Sequence, residues 1–168
     1  DNMRTILTLM IERTLKRGWK VFRYSGKNFV LGVVAHGLLD RRDPSNLEIL
    51  FSPGDRVFSL EAVDQARYAE VTPKTLKAHE DFRELTSYAG LRNADREYRL
   101  TPDRARTGVA VIADTSFPNV ILIGYSDGSV KRHTFEELDL LPPEDPDNPE
   151  PFLGDDAAND MLAALSDQ

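Results

Sequence analysis

The stretch Asn119–Leu141 constrains the fold of this chain more than any other part of the sequence. Val120–Tyr125 is rich in β-branched, aliphatic and aromatic residues, which favour a half-buried strand. It is followed by Asp127-Gly128, the dipeptide that a type I′ hairpin turn favours because both central residues need a positive φ. Val130–His133 is then the natural return strand. The stretch therefore predicts an antiparallel β-hairpin.

A capping signal follows the return strand. The Thr134 hydroxyl can cap a short helical turn, and Glu137 stands three residues later, as in a capping box. The same order of strand, turn, strand and helical turn fits Leu47–Asp64, with Ser52-Pro53-Gly54-Asp55 as its turn. Further matching pairs stand at a similar separation: Phe22-Arg23 with Tyr98-Arg99, and Gly32-Val33 with Gly108-Val109. A period of about 75 residues suits two small domains, so the sequence predicts an internal duplication.

Helices are predicted in front of both copies. Arg4–Arg17 places Leu7, Met10, Ile11 and Leu15 on one face. Thr72-Pro73 begins a second helix, with Thr as N-cap and Pro at the first helical position, and Gly90 is expected to end it. Trp19–Tyr24, Phe29–His36 and Gly108–Ala113 are predicted strands.

These elements predict an α+β chain with two small SH3-like antiparallel β-barrels in tandem, each preceded by an amphipathic helix. Residues 1–69 would hold the first helix and barrel, and residues 70–141 the second helix and barrel. Residues 142–168 would form an acidic, Pro-rich tail with a short amphipathic helix over Asp155–Leu165. Met161, Leu162 and Leu165 share one face of that helix, which predicts docking on the chain's own barrel or on a partner; a tail that stays disordered is the alternative.

The net charge of −7 divides unevenly along the chain. All 21 Lys and Arg residues precede residue 136, whereas 11 of the 28 Asp and Glu residues follow residue 135. The first 135 residues therefore carry a net charge of +4, and the tail is strongly acidic. With no cysteine, no long apolar run and no signal peptide, the sequence predicts a cytoplasmic protein without disulfides, thiolate metal sites or membrane spans.

The predicted hairpin unit, with an aromatic residue two positions before Asp-Gly, resembles the Tudor family of small SH3-like barrels. The residues that carry the resemblance are Tyr125-Ser126-Asp127-Gly128-Ser129 and Glu136-Glu137-Leu138-Asp139-Leu140-Leu141. The first copy matches less well, because Pro53 stands where the family has Asp. The resemblance implies a non-catalytic reader of peptides, in some members of methylated Lys or Arg held in an aromatic cage.

By the same resemblance, Tyr125 corresponds to the strand aromatic of the family and Asp127 to its acidic turn residue. Phe117 is the aromatic residue of the preceding loop, so these three are the candidate ligand-binding residues. The favoured function is a non-enzymatic interaction module that binds a protein or peptide segment. Ordinary core packing of the aromatic residues is the competing interpretation.

The alternative function is a DNA- or RNA-binding accessory protein whose basic face the acidic tail modulates. Clustered cations neutralise phosphates, and interleaved rings such as that of Tyr98 can stack on bases. The candidate residues are Arg92, Arg96, Arg99, Arg104, Arg106, Lys131 and Arg132. Asp95, Glu97 and Asp103 dilute this cluster, which a solvated surface would also explain. No nucleophile elbow, phosphate loop or metal-ligand spacing is found, so neither an enzyme nor a cofactor is predicted, and the oligomeric state is left open.

Overall fold

The computed structural model of the chain describes residues 1–16, 24–92 and 109–140, together with Leu162, Leu165 and Ser166. Its helices are α1 (Asn2–Lys16), α2 (Lys27–Ala35), α3 (Pro44–Glu48) and α4 (Pro73–Lys77), with short 3-10 helices at Gln65–Ala69 and Arg83–Leu85. Its strands are β1 (Ala89–Leu91), β2 (Ala110–Asp114), β3 (Val120–Tyr125), β4 (Val130–Thr134) and the two-residue β5 (Leu165–Ser166).

The strands form one open antiparallel sheet in the order β4-β3-β2-β1-β5. The α+β class is therefore confirmed, but the described residues form a single sheet instead of two barrels. The predicted duplication is wrong: residues 24–64 contain no strand, so the first segment lacks the hairpin of the second. Of the predicted strand Trp19–Tyr24, residues 19–23 lie outside the described residues.

The helices pack on one face of the sheet. Gly124 in β3 lies against Leu7 and Met3 of α1, where an added Cβ would approach the Leu7 side chain to 2.7 Å. The predicted α1 is confirmed, although Leu15 is 48% exposed and lies outside the buried stripe. Helix α2 replaces the predicted strand Phe29–His36, and it is buried over almost its whole length.

The opposite face of the sheet is covered by described residues that follow β4 in the chain. Because side chains alternate along a strand, Ile121, Ile123 and Tyr125 point to this second face. They pack with the buried side chains Phe135, Leu138, Leu162 and Leu165. The sheet is thus a central layer between helices on one side and these described residues on the other.

The predicted boundary between residues 69 and 70 is crossed by the core. The Tyr68 hydroxyl donates to the Leu85 carbonyl (2.7 Å), and the Tyr88 hydroxyl donates to the Phe51 carbonyl (2.9 Å). The Thr86 hydroxyl likewise donates to the Leu50 carbonyl (2.8 Å). One cluster of buried side chains extends from Met3 to Ile112, so the two predicted segments share a core in the described residues.

The second predicted helix begins correctly and ends early. Thr72 caps it and Pro73 occupies its first turn, but α4 stops at Lys77 because His79 takes a left-handed conformation with φ 56°. The residues beyond it enter a 3-10 turn and then β1, where Ala89 is buried as part of the sheet.

Candidate functional site: the hairpin and the open edge of the sheet

The β3–β4 hairpin is closed by a three-residue loop. The Gly128 N–H donates to the Tyr125 carbonyl (2.9 Å), and the Tyr125 N–H donates to the Ser129 carbonyl (2.8 Å). Gly128 has φ 85°, whereas Asp127 has no positive φ. This is a type I turn followed by a left-handed glycine, so the predicted type I′ geometry is wrong although the hairpin and its glycine requirement are confirmed.

Asp127 holds this loop together. Its Oδ1 atom accepts hydrogen bonds from the Ser129 N–H (2.9 Å) and the Ser129 hydroxyl (2.7 Å). The hydrogen bond from the Ser129 hydroxyl is the main reason that the pKa of the Asp127 carboxyl lies below its ordinary value, and the bond from the Ser129 N–H is the second. Asp127 therefore stabilises the turn, with its carboxylate already engaged inside the chain.

Tyr125 lies at the end of β3 and is 6% exposed. Its hydroxyl is 2.7 Å from the Nε2 atom of His133, and the Lys131 Nζ atom lies 5.4 Å from the centre of its ring. Burial, and then the charge of Asp127, raise the pKa of the Tyr125 hydroxyl. The ring is part of the buried cluster that includes Leu162 and Leu165, with a cation of the same chain beside it.

Phe117 lies in the loop between β2 and β3, at the opposite end of β3 from Tyr125. Its ring packs against Gly54, where an added Cβ would come within 2.7 Å of the ring. The two aromatic residues are separated by the length of β3, roughly 16 Å at a rise of about 3.3 Å per residue. The structure brings Tyr125 and Asp127 together but not Phe117, so these three residues do not surround a common cation.

The outer side of β4 is the feature that sequence reasoning missed. β4 pairs with β3 on one side, and no described strand lies on its other side. Hydrogen-bonded pairs alternate along an antiparallel ladder. The bonds from Tyr125 to Ser129 and from Phe135 to Asn119 fix this alternation. The backbone N–H and C=O groups of Val130, Arg132 and Thr134 therefore point to the open side.

The end of this edge is held by a reciprocal pair of hydrogen bonds. The Thr134 N–H donates to Oε2 of Glu137 (2.8 Å), and the Glu137 N–H donates to the Thr134 hydroxyl (3.1 Å). The predicted capping arrangement is thereby confirmed. The bond from the Thr134 N–H is the main cause of the lowered pKa of the Glu137 carboxyl. Val130 and Arg132 are left as the outward-facing residues whose N–H groups are not held in this way.

A cleft of about 630 Å³ lies beside the end of β4. Arg132 and Glu136 place opposite charges in its wall, and Val120 and Leu140 add apolar surface. Its lining residues are Pro118, Asn119, Val120, Arg132, Thr134, Phe135, Glu136 and Leu140. An extended segment that pairs with β4 would thus have a recess for a side chain at one end.

The basic residues do not all share one surface. Lys131 and Arg132 are exposed on β4, whereas Arg92 follows β1. Three strand spacings separate β1 from β4, roughly 14 Å at about 4.8 Å each. Arg96, Arg99, Arg104 and Arg106 lie outside the described residues. The presence of adjacent Lys and Arg on a short strand is a known sign of a sheet edge and could have identified β4 as one.

Two of the three predicted tail residues lie in the core. Leu162 and Leu165 are both 0% exposed, and Met161 lies outside the described residues. Leu165 belongs to β5, which pairs with β1, so the predicted helix does not extend to Leu165. The described residues of the tail therefore contact the chain's own sheet.

The described part of the chain lacks two kinds of functional feature. It contains no helix long and apolar enough to cross a membrane, and no cluster of three or more His, Asp or Glu side chains placed to hold a metal ion. No protein-family model, characterised protein or solved structure matches this chain, and the Tudor resemblance of the hairpin stays a prediction.

Proposed function

We propose that this chain is a non-enzymatic interaction protein that binds an extended segment of another protein along the open edge of β4. The observation that supports this is the outward direction of the Val130 and Arg132 backbone groups, on the side of β4 that has no described neighbouring strand. An added strand would satisfy these groups with main-chain hydrogen bonds, and its alternate side chains would provide selectivity.

The charges on β4 favour a partner that is acidic and different from this chain. Two copies of β4 paired antiparallel about a two-fold axis would place Arg132 opposite Arg132, or Lys131 opposite Lys131. Like charges directly opposite each other destabilise a strand pair, and Lys on an edge strand discourages pairing with itself. A segment with carboxylates opposite Arg132 and Lys131 would attract both cations instead.

The cleft beside β4 adds a second requirement. In an antiparallel segment, the residue opposite Arg132 points to the same face as Arg132, and the residue opposite Thr134 points towards the cleft. A carboxylate suits the first position and an aliphatic side chain the second. The sequence Ile-Thr-Glu-Glu-Val meets these requirements when its third residue stands opposite Arg132.

The test is a titration of the isotope-labelled full chain with the capped peptide acetyl-Ile-Thr-Glu-Glu-Val-amide. We expect saturable changes in the amide resonances of Val130 and Arg132. A peptide N-methylated at the third residue removes the N–H that would donate to the Arg132 carbonyl, and it should bind weakly. Saturable binding that leaves the β4 amides unchanged would contradict the proposal.

The double variant Lys131→Glu/Arg132→Glu provides the matched control for charge. It should lose the acidic peptide and gain acetyl-Ile-Thr-Lys-Lys-Val-amide. A single-stranded oligonucleotide serves as the competing ligand. If it binds through Lys131 and Arg132 with a steep salt dependence while neither peptide binds, the nucleic-acid alternative replaces the present proposal.

A further inference from the structure

The Glu137 carboxylate occupies the place that the carbonyl group of an added strand would need. Its Oε2 atom accepts the Thr134 N–H at 2.8 Å, an ordinary distance for a strong N–H···O bond. The Thr134 N–H is the last of the three outward donors of β4. A strand that continues past Arg132 would meet a donor that is already bonded.

We propose that Glu137 is a register-determining residue: it disfavours pairing of a bound segment beyond Arg132 because it occupies the Thr134 N–H. This inference rests on the proposed function, because it concerns the same edge. With Glu137 in place, a bound segment accepts hydrogen bonds from the N–H groups of Val130 and Arg132 but not from that of Thr134. The site would therefore favour short extended segments, because longer ones could not accept a hydrogen bond from the Thr134 N–H.

The geometry gives Glu137 an advantage over an incoming carbonyl. The carboxylate belongs to the same turn, and the Glu137 N–H donates back to the Thr134 hydroxyl, so the contact is made without ordering a second molecule. An ionised acceptor also makes a stronger bond than a neutral carbonyl. The Thr134 N–H therefore bonds to Glu137 in preference to an incoming carbonyl.

The experiment compares two probes, acetyl-Glu-Glu-Val-amide and acetyl-Ile-Thr-Glu-Glu-Val-amide. Only the longer probe has a residue opposite Thr134. The quantity compared is the ratio of the affinity of the longer probe to that of the shorter probe. In the Glu137→Ala chain, we expect this ratio to be about 2- to 10-fold higher than in the wild type, which corresponds to one added hydrogen bond. The contribution of the Ile side chain in the cleft cancels in this comparison.

Two further variants separate hydrogen bonding from charge. Glu137→Gln keeps an acceptor oxygen without the charge, and Glu136→Ala removes a neighbouring carboxylate that lines the same cleft. Glu136→Ala should keep the wild-type ratio, and Glu137→Gln should raise it less than Glu137→Ala does, because its neutral amide oxygen is a weaker acceptor. A rise in Glu137→Gln equal to that in Glu137→Ala would show that charge repulsion is the cause, and would overturn the inference.

Hydrogen exchange in the free protein gives a readout that does not need a ligand. The Thr134 amide should exchange faster in Glu137→Ala and should stay protected in Glu137→Gln. The Tyr125 amide, bonded to Ser129, reports whether the hairpin is intact. Unchanged Thr134 exchange would overturn the inference about Glu137, whereas peptide binding at β4 would still support the proposed function. If neither probe binds any variant, both the inference and the proposed function are overturned.

Discussion

Gly90 is the position at which a single methyl group should be most damaging. It lies in β1 directly under the backbone of Gly26, the residue that precedes α2, and an added Cβ would overlap the Gly26 carbonyl oxygen. Carbon and oxygen atoms normally meet at about 3.3–3.6 Å. The Gly26 N–H also donates to the Leu91 carbonyl at 2.8 Å, so the same movement would disturb this bond.

The expected cost of Gly90→Ala follows from these contacts. Overpacking of a core costs about 1–3 kcal/mol, and the net loss of one hydrogen bond adds about 1 kcal/mol. The obstacle is backbone, which cannot rotate away as a flexible side chain can. We therefore expect the free energy of unfolding to fall by about 2–4 kcal/mol.

The assay is equilibrium unfolding in urea, with the free energy taken from the midpoint at an unchanged m value. Gly37→Ala is the matched control, because its added Cβ meets nothing within 4 Å and its only strain comes from φ 68°. That strain costs about 1–2 kcal/mol for a residue with a side chain. A Gly90→Ala chain as stable as the Gly37→Ala chain would refute the close approach of α2 to β1.

Three other predictions concern the hairpin and the C-terminal strand. Gly128→Val should lower stability by about 1–3 kcal/mol, because φ is 85° and the added Cβ would lie 3.1 Å from Ile11; an unchanged melting temperature would contradict this. The lowered pKa of Asp127 means that its stabilising contribution is complete above an ordinary Asp pKa of about 3.9 and is lost as pH falls through the lower folded value. Stability measured against pH should therefore fall more steeply below about pH 4 for the wild type than for Asp127→Asn. Leu165→Glu places an unpaired charge at a fully buried position and should cost at least about 3 kcal/mol in thermal or urea unfolding; an unchanged stability would show that β5 does not anchor the sheet.

The hairpin could be predicted from sequence because its signals are local. The β-branched run of β3, the glycine of the turn and the Thr134–Glu137 cap each act within a few residues. The turn type could not be predicted as securely, because Asp-Gly also fits a type I turn followed by a left-handed glycine. The two turns differ in the backbone of Asp127, which has no positive φ here.

Helix α2 shows why the first half of the chain was predicted wrongly. Its residues Phe29–Val34 are all buried, so they lack the alternation of apolar and polar residues that distinguishes a helix from a strand. The pattern FVLGVV then favours a strand by propensity alone, and packing in the centre of the fold decides for a helix. The early end of α4 at His79 has a similar origin, because no glycine or proline marks it.

The open edge could not be predicted because it depends on which strands are neighbours. β5 reaches β1 from a distant part of the chain, and no local pattern connects Leu165 with Leu91. The outward direction of Arg132 likewise follows from the register between β3 and β4. Sequence reasoning named Lys131 and Arg132 for their charge, whereas their position on an edge strand came from the topology.

The pairing of β5 with β1 has a consequence for stoichiometry. A sheet that exposes both edges can pass its pairing from copy to copy and grow into a filament, since each added molecule offers a fresh edge. Here the side of the sheet opposite β4 ends in β5, a strand of only two residues, and so short an edge strand offers little to pair with a further molecule. A complex formed at β4 should therefore stop at one segment per chain, and loss of β5 would convert a terminating molecule into one that can propagate.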